Sequence, residues 1–239
     1  SFLLAVSQVA FPLLSIPYIS RVLHPEGIGT VGFMDSLTTY FIVIAEFGIV
    51  TYGIREVARK RDRPGELATL VSELVSLHIV TSLVSTALYL LSMFFLYPKV
   101  NDLSLVLISL SFLLTNALAC EWYFWGTENF KFITIRSLIT RSLGLASIFM
   151  LVQQPGDYVF YYAIIAGTAI LNLCWNFSKM LSQISFPFRN VDWRRHIRFV
   201  SVTYAISLVY SVVIILDNVF LQVLSTSVAV AYYMFAAKV

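Results

Sequence analysis

The sequence predicts an all-α fold, a polytopic membrane helix bundle, and three observations carry that prediction. Hydrophobic residues make up 59% of the chain and charged residues 12%, about half the roughly 25% of a soluble domain. Mean hydropathy is +0.82, so lipid has to serve as part of the solvent. Apolar runs long enough to cross a bilayer, about 20 residues each, recur between short polar segments. Finally, thirteen of the sixteen Lys and Arg residues fall in alternate connections, the asymmetry that orients membrane helices.

The elements follow in order. A first helix over about 1–21 carries Pro12 and Pro17, which remove backbone hydrogen bonds and bend it. The Pro/Gly segment from His24 to Gly29 reads as a tight turn, and a second helix occupies about 30–53. Segment 54–72 mixes charge with apolar positions, so a short amphipathic helix and turn is expected at the surface. A third helix covers about 73–96 and ends in YPKVND; a fourth spans about 103–124. GTENFK leads into a fifth at about 132–152, closed by QQPGD, and a sixth takes about 158–179. SQISFPFRNVDWRRHIR is a basic loop rimmed by aromatics. It precedes a seventh helix at about 199–222 and the opening of an eighth near Val228.

The basic connections hold Arg55, Arg59, Lys60, Arg61 and Arg63, then Lys131, Arg136 and Arg141, then Lys179, Arg189, Arg194, Arg195 and Arg198. The opposite side has Arg21 and Lys99, with Lys238 in the last helix. The basic side is therefore expected to be cytoplasmic, and the first helix to run outward from a cytoplasmic N-terminus. The chain begins inside one apolar run and stops inside another, and it reads as a piece of a longer polypeptide.

Several function classes recede at this stage. The net charge of +3 is spread over separate loops, so no bulk basic patch for nucleic acid is expected. Cys120 and Cys174 have no metal or redox spacing and read as small buried hydrophobes. No phosphate-cradling glycine loop of the P-loop kind occurs, so the chain is not expected to hydrolyse nucleotides, and no catalytic constellation emerges.

Ionisable residues at membrane depth usually face a cavity or a partner. Asp35 and Glu46 lie eleven residues apart in the second helix, which returns them to nearly one face about 16 Å apart. Thr39 and Gly53 share that stripe. They are candidates for coupling an ion, H+ or Na+, or for bonding sugar hydroxyls. Alternatively, Asp35 sits near the outer interface, solvated or paired with Arg21, and Glu46 pairs with a neighbouring helix. Arg141, five residues beyond Arg136, is a candidate for phosphate oxygens, which its planar fork suits, or it snorkels to the interface. Arg21 divides the same way at the outer end of the first helix. His78, Ser82, Ser85, Tyr89 and Ser92 recur at steps of four and three on the third helix, a helix-packing seam. Glu73 is placed at the start of that helix, where a carboxylate favours the dipole.

PYISRVLHPEGIGTVGF followed by FGIVTYGIREVARKR resembles the opening of the polysaccharide flippases, O-antigen type included, of the multidrug/oligosaccharidyl-lipid/polysaccharide exporter superfamily. EWYFWGTENFKFITIRS resembles that family's aromatic–Gly–Glu segment, and LDNVFLQVLSTSVAVAYYMFAAKV its passage from seventh to eighth helix. His24 and Gln222 stand where those proteins usually carry glycine. The resemblance implies a six-helix first lobe over 1–185, and over 186–239 a cytoplasmic loop, the seventh helix and the start of the eighth, opening a second lobe. It implies a non-enzymatic transporter in the bacterial cytoplasmic membrane that moves an undecaprenyl-pyrophosphate-linked oligosaccharide by alternating access. Membrane lipids, that substrate and polysaccharide assembly enzymes would be its partners, with no cofactor beyond a coupling ion. Asp217, late in the seventh helix, joins Arg21, Asp35, Glu46 and Arg141 as a candidate cavity residue on this ground. A cation-coupled drug exporter of the same superfamily is the nearest alternative. A membrane-embedded polysaccharide polymerase is a more distant one, since it would need a long outer loop where every outer loop here is short.

Overall fold

The computed structural model describes residues 2–184 and 192–237, excepting the side chains of 2–5, 8, 9, 99, 210–219, 223, 227 and 234–237. The fold is helical throughout, with no strand among the described residues. In order come α1 (Phe2–Val22), α2 (His24–Glu46), α3 (Ile49–Lys60), α4 (Pro64–Val100), α5 (Leu103–Thr115), α6 (Glu121–Gly126), α7 (Phe130–Leu151), α8 (Tyr158–Leu181), α9 (Arg194–Leu224) and α10 (Ser227–Ala237). Short 3-10 turns at Asn116–Leu118 and Pro155–Asp157 link α5 to α6 and α7 to α8. Among the described residues, five stretches are long and apolar enough to cross a membrane: His24–Glu46, Pro64–Pro98, Leu103–Gly126, Phe130–Leu151 and Pro155–Leu181. This is the polytopic bundle that the apolar runs predict.

The bundle has two ends, and the connections sort between them. One end gathers Leu23, Val152, Tyr158 and Ala231 into a single apolar cluster. Tyr18 there donates to the Val152 carbonyl at 2.8 Å, satisfying a group that the end of α7 leaves open. Tyr158 donates to Asp102 Oδ2 at 2.9 Å, so the α4–α5 turn lies at the same end. The opposite, basic end gathers Tyr52, Val57, Leu67, Trp122, Phe124, Met180 and Val200. Between them, the Tyr162 hydroxyl of α8 meets Ser109 of α5 at 2.9 Å and Thr38 of α2 at 3.0 Å. This buried polar node ties three helices together, each bond worth about 0.6 kcal/mol in a membrane.

Several boundaries differ from the sequence reading: the fourth helix breaks at Asn116–Leu118 into α5 and α6, α9 starts at Arg194 inside the expected basic loop, and three others differ for a local reason. The segment His24–Gly29 is helix rather than turn. Pro25 is tolerated in the first turn, where its missing N–H costs nothing. The reversal is compressed into His24, whose φ is 54°, a conformation that suits the glycine usual at this position. The second helix also stops early. Phe47 and Gly48 both take left-handed conformations, with φ of 46° and 75°, so α3 turns away and the Asp35–Glu46 stripe does not continue to Gly53. Gly53 instead meets the Trp122 ring, only 2.8 Å from where a Cβ would stand. Finally, the third helix begins at Pro64, not near residue 73. Its 37 residues are about 55 Å long, more than the ~30 Å hydrocarbon core. Leu67, Leu70, Val71 and Leu74, all buried, carry its packed face continuously through the segment that its charges suggested was a turn.

The stripe predicted on the third helix is buried at His78, Ser82, Ser85 and Tyr89; Ser85 bonds across the seam, and the Ser82 hydroxyl has no partner among the described residues. Ser85 and Thr81 of α4 each donate to a backbone carbonyl of α2, those of Phe41 and Ala45, at 2.5 Å. His78 is buried with its Nε2 3.3 Å from the Asn116 amide.

Candidate functional site

At the basic half of the bundle, α2, α3, α5–α6, α7 and α8 surround a cavity of about 530 Å³. Its walls are apolar at Ile42, Val50, Phe112 and Leu173, and its charges are Glu46, Glu121, Arg136 and Arg141. The helix spacing explains why the polar groups converge. Residues 136, 137, 140 and 141 recur on one face of α7, and Asn172 and Asn176 are one turn apart on the facing side of α8.

Arg136 is buried at 3% exposure and is held in place rather than snorkelling. One terminal nitrogen donates to Asn176 Oδ1; the other donates to Glu121 Oε1 and to Ser137 Oγ, both at 3.3 Å. Its Nε has no partner among the described residues. Thr140 donates to Asn172 Oδ1 at 3.0 Å, fixing the next turn of the same wall. Arg141 follows, in electrostatic reach of Glu121 and Arg136, and makes no hydrogen bond or ion pair among the described residues. Thr140, Arg141 and Asn172 also border a second chamber of about 230 Å³, lined further by Ser15, Thr168 and apolar residues of α1, α7 and α8 such as Phe11, Ile148 and Ile165. Arg141 thus stands between a chamber that also holds Glu46, Glu121 and Arg136 and one whose other lining residues are uncharged.

The basic segment after α3 has a different character. Arg55 and Arg59 pair with Glu56, Lys60 and Arg63 with Glu66, and Arg61 with Glu128 at 2.9 Å. Exposed pairs of this kind contribute about 0–1 kcal/mol each. Arg61–Glu128 ties the end of α3 to the α6–α7 turn, and the other pairs stay within residues 55–66, so these cations are already partnered.

A family profile for the polysaccharide biosynthesis proteins matches residues 1–239, the whole chain. The chain belongs to that family. Among its curated relatives is a candidate O-antigen transporter of Escherichia coli (strain K12), 28% identical over 152 residues, 63% of this chain and 36% of the relative. A second protein of the same description from Shigella dysenteriae is 26% identical over 161 residues, 66% of this chain and 39% of the relative. The chain thus spans well under half the length of these relatives. No solved structure matches it significantly.

In this polysaccharide biosynthesis protein, two of the five candidate site residues come together, since Glu46 and Arg141 line the same cavity. Asp35 does not join them: it lies in electrostatic reach of the Tyr161 and Tyr162 phenols on α8. Arg21 is exposed in the last turn of α1, outside both chambers. The side chain of Asp217 lies outside the described residues. The sequence reading missed Glu121, Asn172 and Asn176, and it counted Arg136 only as a loop charge. Two asparagines four apart in an apolar helix were the available signal.

Proposed function

We propose that this chain contributes the first lobe, residues 1–185, and the opening of the second, 186–239, to a flippase for lipid-linked oligosaccharide. The cargo is an undecaprenyl-pyrophosphate-linked repeat unit for a surface polysaccharide, carried from the inner to the outer leaflet by alternating access. The observation that supports this most is the charged cavity inside an apolar bundle. A diphosphate brings about two negative charges, and each charge at the bilayer centre costs at least ~2.5 kcal/mol. Arg136, and Arg141 with its free fork, are positive charges lining the cavity and are suited to offset that cost. Asn172, Thr140 and Asn116 offer the neutral donors and acceptors that sugar hydroxyls need. The naming of the two curated relatives as O-antigen transporters supports the same reading.

The test is complementation. The full-length gene should restore surface polysaccharide to a flippase-null strain and clear the lipid-linked repeat units that accumulate there. Restored polymer length in a polymerase-null strain would point instead to chain growth.

Orientation in a bacterial cytoplasmic membrane, with a cytoplasmic N-terminus, is part of the same proposal and has its own check. Single cysteines at Asn101 and Asp157 should react with an impermeant thiol reagent in intact cells, and those at Lys60 and Lys179 only after permeabilisation. Asn190, also expected inside, lies outside the described residues. Reaction of Asn101 and Lys60 from the same face would refute the arrangement.

A further inference from the structure

Glu73 is not the exposed helix-start carboxylate that its sequence position suggests. It lies well inside α4, buried, and its partners come from α9 and the residues before it. The Arg195 guanidinium donates to both Glu73 oxygens, one bond being Nε to Oε2 at 3.1 Å. His196 Nε2 lies 2.9 Å from Oε2, and the Asp192 amide donates to Oε1 at 3.4 Å. On its other side, His196 Nδ1 is 2.7 Å from the Tyr52 hydroxyl of α3. An imidazole that donates from Nε2 and accepts the Tyr52 proton at Nδ1 satisfies all three groups. A single carboxylate thereby fastens the start of α9 to both α3 and α4.

Two further contacts lie beside this cluster. The Tyr52 ring stacks on Phe199, with centroids 6.3 Å apart. Gly48 meets the α9 backbone so closely that a Cβ would stand 2.6 Å from the Tyr204 nitrogen. On α3 itself, Tyr52 holds α9 while Val50 and Ile54 line the charged cavity. Among the described residues, α9 contributes none to the cavity lining itself, and α3 is the element that the clasp and a cavity wall share.

The chemistry of the clasp suits a contact that opens and closes. A buried ion pair gains little net stability over an apolar seam of the same shape, because desolvation offsets attraction. It differs in what happens on separation: charged groups rehydrate, whereas an apolar seam would expose bare surface. Arg195 is already half-exposed, at 50%. We propose that Tyr52, Glu73, Arg195 and His196 form a latch that closes the basic end of the cavity by holding α9 against α3 and α4, and that parting it opens the cavity toward that side. This rests on the alternating-access reading and specifies the gate for it.

The experiment uses the full-length protein with Cys120 and Cys174 replaced by serine and a single reporter, Ala169→Cys, in the cavity wall. The rate of reaction with an impermeant maleimide is measured in inside-out and right-side-out vesicles. Glu73→Gln and Arg195→Gln should each raise the rate from the basic face at least about threefold, as a shifted two-state population requires. Tyr52→Phe should give a smaller rise, and Arg59→Gln, outside the clasp, none. Arg195→Gln keeps the test decisive if the buried Glu73 variant fails to fold. Wild-type rates in all clasp variants at matched protein amounts would overturn the latch while leaving the proposed cargo intact. A reporter that never reacts from the basic face in any variant would overturn alternating access, and the latch with it.

Discussion

Replacing Gly48 by alanine should cost the fold about 2–5 kcal/mol, from a left-handed backbone that a side chain resists by roughly 1–2 and overpacking worth 1–3. The residue sits at φ 75°, and the new Cβ would lie 2.6 Å from the Tyr204 nitrogen and 2.7 Å from the Val200 carbonyl oxygen. Neither neighbour can rotate away, because both belong to the α9 backbone. The substitution must straighten the α2–α3 corner, push α9 outward, or do both. A lower melting temperature in detergent, and less protein in the membrane, are the expected readings. Gly65→Ala is the control. Nothing lies within 4 Å of a Cβ there, and alanine in a helix gains about 0.5–1 kcal/mol over glycine. Gly48→Ala and Gly65→Ala proteins that melt together would mean that α9 does not approach α2–α3 as described.

The same corner shows what hydropathy can and cannot reveal. FGIVTYG carries no charge or proline after Glu46, so its composition does not mark a stop there. The stop is a backbone event at Phe47 and Gly48, made workable by a close approach from a helix about 150 residues later in the chain. The ends of α7 and α8 were legible to within two residues because their signals are local: Asn129 caps one through the Phe132 amide, and QQPGD closes it. At Pro64 the charges of RDRPGE outweighed a helical spacing of leucines that was there to be seen.

The candidate site divides along similar lines. Glu46 and Arg141 stood out because an ionisable group in an apolar run is rare and costly. Asp35 shares the azimuth of Glu46 on α2, but a rise of about 16 Å sets the two at different depths, against different partners. Azimuth is readable from spacing; the neighbour at a given depth is not. Arg136 misled in the opposite sense, since a loop-proximal arginine is usually solvated. Its burial depends on Asn176, forty residues away, and on Glu121 from the preceding turn.

Arg141→Lys should lose most transport while keeping insertion, charge and expression. With no bond to protein among the described residues, Arg141 has nothing structural to give up when its side chain is exchanged. Lysine keeps the positive charge and snorkels as well as arginine does. It cannot reproduce the planar fork that donates two parallel bonds to one phosphate. Losing one charge-assisted hydrogen bond costs about 1.5–3 kcal/mol, or about ten- to hundredfold in affinity. Surface polysaccharide per molecule of protein should fall accordingly. Arg136→Lys makes the contrast, because that side chain holds Asn176, Glu121 and Ser137 together. Its replacement leaves buried polar groups unpaired, so the deficit should appear first in the amount of folded protein. Equal polysaccharide output from Arg141→Lys and wild type at matched expression would remove Arg141 from the site, and the second lobe would then have to supply the cations that a diphosphate requires.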